Sequence, residues 1–75
     1  LAHKQAALEP ILNAFPERKF ILIGDSGEQD PLIYGGFLRH RPHQILGIFI
    51  RAVGERPDHE SRLDAAFEGC PRDRW

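Results

Sequence analysis

Residues 19–31 read KFILIGDSGEQDP, and this stretch decides how the rest of the chain is read. Phe20-Ile21-Leu22-Ile23 is an unbroken apolar run, β-branched in part, that ends at Gly24. A strand with one wet face alternates apolar and polar residues. A continuous run instead predicts a strand covered on both faces, as in a parallel sheet. Gly24 to Gln29 then reads as a polar loop, and Asp30-Pro31 as a helix N-cap followed by proline at the first helical position. In open α/β sheets, ligands bind beyond the carboxyl ends of the strands. Asp25, two residues past the apolar run, and Asp30, at the start of the next helix, both fall at that edge. Gly24 and Gly27 are expected to let the loop turn tightly, so that the two carboxylates converge. Two converging hard oxygen donors suit Mg²⁺ better than a soft metal. Spacing alone equally allows a bland arrangement, with one aspartate capping a helix and the other satisfying loop amides.

Upstream, Leu8, Ile11, Leu12 and Phe15 fall at helical spacing and predict an amphipathic helix over about 4–14. Pro10 inside it removes a backbone donor and predicts a kink or late start, and Pro16 ends it. Downstream, a second helix is expected from Pro31 to Arg41, with Ile33, Tyr34, Phe37 and Leu38 as its buried stripe. Gly35-Gly36 weakens that helix by about 1 kcal/mol per glycine relative to alanine, but permits close approach of another backbone. Ile45 to Ile50 is a second apolar run, bounded by Pro42 and Arg51. Gly54 to His59 reads as a linker. Leu63, Ala66 and Phe67 suggest a short third helix ending at Gly69, and Cys70-Pro71 begins an irregular tail that closes with Trp75. The predicted class is α/β, a single unit over 1–75 with a partial Rossmann-like parallel sheet. Its order is helix–strand–helix–strand plus a short C-terminal helix. Two such strands are both apolar edges. The missing cover is therefore expected from the rest of a larger domain, or from a second copy that buries Phe20, Ile48 or Ile50.

Composition narrows the function classes. The chain has 75 residues, 41% of them hydrophobic and 28% charged, which is globular rather than disordered. At this length only about 60% of the unfolded surface is buried, so the core is small. Ten basic against eleven acidic side chains leave a net charge of −1, which excludes a general polyanion binder. Arg39-His40-Arg41-Pro42-His43 lies where basic residues complement a helix dipole, so no nucleic-acid partner is expected. One cysteine, Cys70, excludes an internal disulfide framework and a multi-cysteine zinc site. His3, His40, His43 and His59 lack metal-ligand spacing, and Phe20, Phe37, Phe49 and Phe67 are expected in the core. No transmembrane run or signal-peptide pattern is present. Methionine is absent, which makes a piece of a longer protein the expectation.

His3-Lys4, Phe15-Pro16, the KFILIGDSGEQDP block, Tyr34 and IFIRAV at 48–53 together resemble one known catalytic domain. It is the C-terminal part of the actin-patch-type phosphatidate phosphatase domain, in the haloacid dehalogenase-like hydrolases. The resemblance covers about 3–53, leaving 54–75 as linker, short helix and tail with only a looser likeness. It implies that Lys4 steadies the nucleophile and the phosphoryl group, that Asp25 and Asp30 are the acidic Mg²⁺ positions, and that Ser26 and Gly27 contact phosphate or the loop itself. Leu32 departs from the acidic residue the resemblance would place there. The DxDxT motif that supplies the nucleophilic aspartate does not occur in these residues. The implied function is the Mg²⁺-loop half of a phosphatase that works through an aspartyl-phosphate, its nucleophile lying outside this chain. The chain alone is then expected to be inactive and to bind Mg²⁺ weakly. A phosphate-bearing lipid substrate, the missing N-terminal half or a second copy as partner, and a cytoplasmic, membrane-peripheral location follow from the same resemblance. Two rivals remain. Gly24-Asp25-Ser26 also resembles the start of the GDSL-type esterases, with Ser26 as nucleophile. That reading lacks a well-spaced Asp-x-x-His pair and a downstream asparagine. The other rival is a non-enzymatic α/β module that oligomerises through its exposed strand edges.

Overall fold

The computed structural model describes residues 2–27, 29–54 and 57–75. In chain order it contains α1 (Ala2–Ala14), β1 (Phe20–Asp25), α2 (Asp30–His40), β2 (Ile45–Arg51), α3 (His59–Ala66) and a 3-10 turn at Arg72–Arg74. The strands pair in parallel, with Leu22 opposite Ile48, Gly24 opposite Ile50 and Asp25 opposite Arg51. A parallel pair needs a crossover, and α2 supplies it. Glu28, in the expected 24–29 loop, and Glu55 and Arg56, in the expected 54–59 linker, lie outside the described residues.

One face of the sheet carries the core. Leu22 and Ile48 pack there against Leu12 of α1, Tyr34, Phe37 and Leu38 of α2, and Ala66 and Phe67 at the end of α3. The other face is largely open: Ile21, Ile23 and Phe49 are 56%, 73% and 62% exposed, and the C-terminal turn reaches it at Gly47. The expectation of strands covered on both faces is therefore not met within this chain. Both α1 and α2 pack on the same side, so the second apolar face has no helix to meet. The same geometry corrects two finer expectations. Phe49 is not a core residue, and Ile48, expected between copies, is already buried in the chain's own core.

Several boundaries differ from the sequence reading for local reasons. α1 continues through Pro10 without a late start. Pro10 and Ala6 are both exposed, so the carbonyl that proline deprives of its donor lies on the wet side of the helix. Of the expected α1 stripe only Leu12 is buried; Leu8 is half-buried, and Ile11 and Phe15 are exposed. The helix meets the core through Leu12, near its C-terminus, with Leu8 packed against the same cluster. There the buried Gln44 donates from Nε2 to the carbonyls of Leu12, at 2.9 Å, and Phe15, at 3.1 Å, which closes the helix end. The tail is not irregular throughout. Its 3-10 turn brings Trp75 onto Phe67, ring centroids 4.6 Å apart and stacked.

The glycine pair in α2 divides into two roles. A Cβ on Gly35 would lie 2.2 Å from the Ala66 carbonyl oxygen, whereas one on Gly36 would meet nothing within 4 Å. Gly35 is thus the close approach that docks α3 on α2. Arg39 reinforces it, donating from Nη1 to the carbonyls of Ala66 and Glu68, each at 3.0 Å. This basic residue completes the end of a neighbouring helix, where carbonyls lack intrahelical donors.

Candidate functional site

β1 ends at Asp25 and α2 begins at Asp30, so a short loop joins the carboxyl end of a strand to a helix N-terminus. Asp25 is the last strand residue rather than two positions beyond the strand. Asp30 lies in the first turn of α2, with Gln29 as the N-cap residue; Gln29 makes no side-chain capping bond. The carboxylate of Asp30 turns back toward the strand. Its Oδ2 accepts the backbone N–H of Asp25 at 3.0 Å, and its Oδ1 accepts from Lys4 Nζ at 2.5 Å. Lys4 comes from α1, so three elements meet at one buried carboxylate. The Asp30 side chain is 3% exposed and that of Lys4 39%. A carboxylate that deeply buried is tolerable only when a cation and hydrogen-bond donors replace its water. The positive end of α2 favours the same charge.

Gly24 makes this arrangement possible. A Cβ there would sit 2.4 Å from Asp30 Oδ2 and 2.8 Å from Asp30 Cγ. The glycines were expected to supply a tight turn. Neither Gly24 nor Gly27 has a positive φ, so at Gly24 what matters is the missing side chain and not backbone freedom. Asp25 is half-buried, and its Oδ1 accepts the Gly27 N–H at 3.0 Å. Its second oxygen accepts no hydrogen bond among the described residues. Ser26 is buried and ties the loop to the end of β2: its N–H donates to Arg51 O and its Oγ accepts the Val53 N–H, each at 2.9 Å.

Of the residues singled out from sequence, Lys4 and Asp30 are brought into direct contact. Asp25 joins them through its backbone, while Ser26 and Gly27 make loop contacts. The bland alternative of aspartates satisfying loop amides describes one oxygen of each carboxylate; the helix-cap alternative describes neither. Among the described residues no group of three or more His, Cys, Asp and Glu side chains is gathered to hold a metal ion. The sequence reading placed Tyr34 in the buried stripe of α2 and among the residues of the resemblance, but gave it no role at the site. Its hydroxyl donates to the Ile23 carbonyl at 3.0 Å, two residues before Asp25. Burial pushes the Tyr34 phenol up, the carboxylates of Asp30 and Asp25 push it further, and Lys4 opposes them. The signal was present: Tyr34 follows Asp30 by four residues, which places both on one helix face.

An α/β strand–loop–helix unit with an acidic loop at the carboxyl end of a parallel strand, and a lysine delivered from the preceding helix, defines the class. Residues 1–52 match the family described as the catalytic domain of phosphatidate phosphatase APP1, and the chain belongs to that family. An uncharacterised protein of Schizosaccharomyces pombe is 46% identical over 52 residues, covering 69% of this chain and 9% of that protein. Phosphatidate phosphatase APP1 of Saccharomyces cerevisiae is 42% identical over 57 residues, covering 71% of this chain and 10% of its own. The chain thus spans about a tenth of the length of these relatives. No solved structure gives a significant match.

Proposed function

We propose that these residues form the lysine-and-acid side of a Mg²⁺-dependent phosphatase centre acting on phosphate monoesters. The fold would be haloacid dehalogenase-like, with the nucleophilic aspartate on residues outside this chain. The observation that carries the reading is the linkage Lys4–Asp30–Asp25, which draws α1, α2 and the end of β1 together where α/β sheets bind ligands. The second oxygen of Asp25 is a hard donor and fits a Mg²⁺ ion. Both oxygens of Asp30 are engaged, so Asp30 fits the role of positioning Asp25 and Lys4 better than that of an open ligand. When bound, the metal neutralises charge on the phosphoryl group. Asp30 fixes Lys4 so that its positive charge lies on the same edge, and Ser26 pins the loop so that Asp25 keeps its place. In the complete reaction the phosphoryl group passes from the ester oxygen to the external aspartate, releasing the alcohol, and water then frees phosphate.

The printed name of the Saccharomyces relative supports a phosphatidate-type lipid phosphate as substrate. The open face at Ile21, Ile23 and Phe49 favours a partner, either the remainder of the catalytic domain or a second copy. The same face is the one observation that favours the non-enzymatic module. Phosphate release decides between them, in a protein that joins this chain to the nucleophile-bearing part of the family domain. Asp25→Asn and Lys4→Met should each lower Mg²⁺-dependent turnover by about 10²–10³, the usual effect of removing one preorganised charge contact. Turnover unchanged in both variants would refute the assignment.

A further inference from the structure

The loop that carries Asp25 also walls a second space. A cavity of about 230 Å³ opens between it and α3, bounded by Ser26, Pro31 and Leu32 on one side and by Arg62, Leu63 and Ala66 on the other. The lining is mainly apolar. Among the described residues its polar members are Ser26, Gln29, His59 and Arg62, so they include a cation. The far wall is firmly placed: Ala66 is set against Gly35, Arg39 holds the Ala66 and Glu68 carbonyls, and Phe67 is buried beneath. The space is therefore formed before any ligand arrives, which lowers the cost of binding. α3 lies beyond the residues that match the family.

We propose that this cavity is an alkyl subsite: it takes the hydrocarbon part of a phosphate ester whose phosphate lies at the Asp25 loop, and α3 is the element that selects for it. The proposal rests on the phosphatase reading for the phosphate end and on the cavity alone for the alkyl end. Ser26 links the two, since it follows Asp25 directly and lines the cavity. A mainly apolar lining that includes Arg62 complements an anionic amphiphile.

Amide chemical shifts of the 75-residue chain, titrated with octyl phosphate below its micelle threshold, methyl phosphate and octanol, test both ends. Octyl phosphate should shift Leu63 and Ala66 together with residues 25–27, and bind about tenfold or more tighter than methyl phosphate, because burial of even a couple of methylenes is worth that much. Ala65 is exposed and lines the cavity, so Ala65→Phe should fill it and erase the advantage of the longer chain while methyl phosphate still binds. Should that variant fold poorly, Arg62→Gln should weaken octyl phosphate and leave octanol unchanged. Equal affinity for octyl and methyl phosphate, or octyl phosphate shifting only the open face around Ile21 and Phe49, would overturn the subsite. Octyl phosphate shifting Leu63 and Ala66 but leaving residues 25–27 unmoved, with millimolar Mg²⁺ present, would overturn the placement of the phosphate; the phosphatase reading itself falls only with unchanged turnover in the joined protein.

Discussion

Gly24 lacks a side chain because the Asp30 carboxylate occupies the space that one would fill. Gly24→Ala should therefore push that carboxylate off Lys4 or off the Asp25 N–H, and lower stability by about 1–3 kcal/mol in urea titrations. A second expectation concerns Tyr34, whose phenol titrates above its ordinary 10.0 because it is buried and lies near Asp30 and Asp25. A folded-state value raised above the unfolded one contributes stability that is fully present below the unfolded pKa. That stability is lost as pH rises through the folded value. Unfolding free energy should fall above pH 10, and Tyr34→Phe should flatten that slope. At this scale the sequence disclosed which residues come together more readily than how they meet. Lys4, Asp25 and Asp30 were all legible in KFILIGDSGEQDP and in the lysine before it. Their division of labour was not: which carboxylate turns inward depends on the space over Gly24 and on a lysine 26 residues away in the chain.

Elements were legible wherever an apolar run or helical spacing marked them. The order helix–strand–helix–strand–helix and the parallel pairing both hold in the structure. The errors lie at element ends and on faces. β1 extends two residues past its apolar run, because Gly24 and Asp25 pair with Ile50 and Arg51 on the neighbouring strand. Pattern within one segment carries no record of such a partner. The α1 stripe failed for a related reason: spacing gives the face, but not that only Leu12 and Leu8 along it reach the core. The glycine pair makes a sharp test of element packing. Gly35→Ala should destabilise by about 1–3 kcal/mol, since its methyl would collide with the Ala66 carbonyl. Gly36→Ala, with open space around it, should stabilise by about 0.5–1 kcal/mol through helix propensity alone. Thermal melts of the two single variants moving in the same direction would contradict the docking of α3 described above.

On the scale of the whole molecule, all the helices that contribute to the core lie on one face of a two-stranded sheet. That leaves Ile21, Ile23 and Phe49 to be covered by something else. Among the described residues no helix is long and apolar enough to cross a membrane. Sedimentation equilibrium at micromolar concentration should find the isolated chain as a dimer or larger, and Ile23→Lys should return it to monomer. A well-folded monomer of the unaltered chain would contradict this. The chain by itself should release no phosphate from an aryl phosphate, because the acids it brings to the loop do not include a nucleophile in this reading. Whether the Asp25 loop holds a divalent ion is tested most directly with Mn²⁺, which shares the oxygen preference of Mg²⁺ and broadens nearby NMR signals. The amides of Asp25, Ser26 and Gly27 should broaden first, at metal concentrations in the millimolar range. Excess Mg²⁺ should reverse the effect, and Asp25→Asn should remove it. Strongest broadening elsewhere, as at His40 and His43, or a pattern unchanged in Asp25→Asn, would contradict the account.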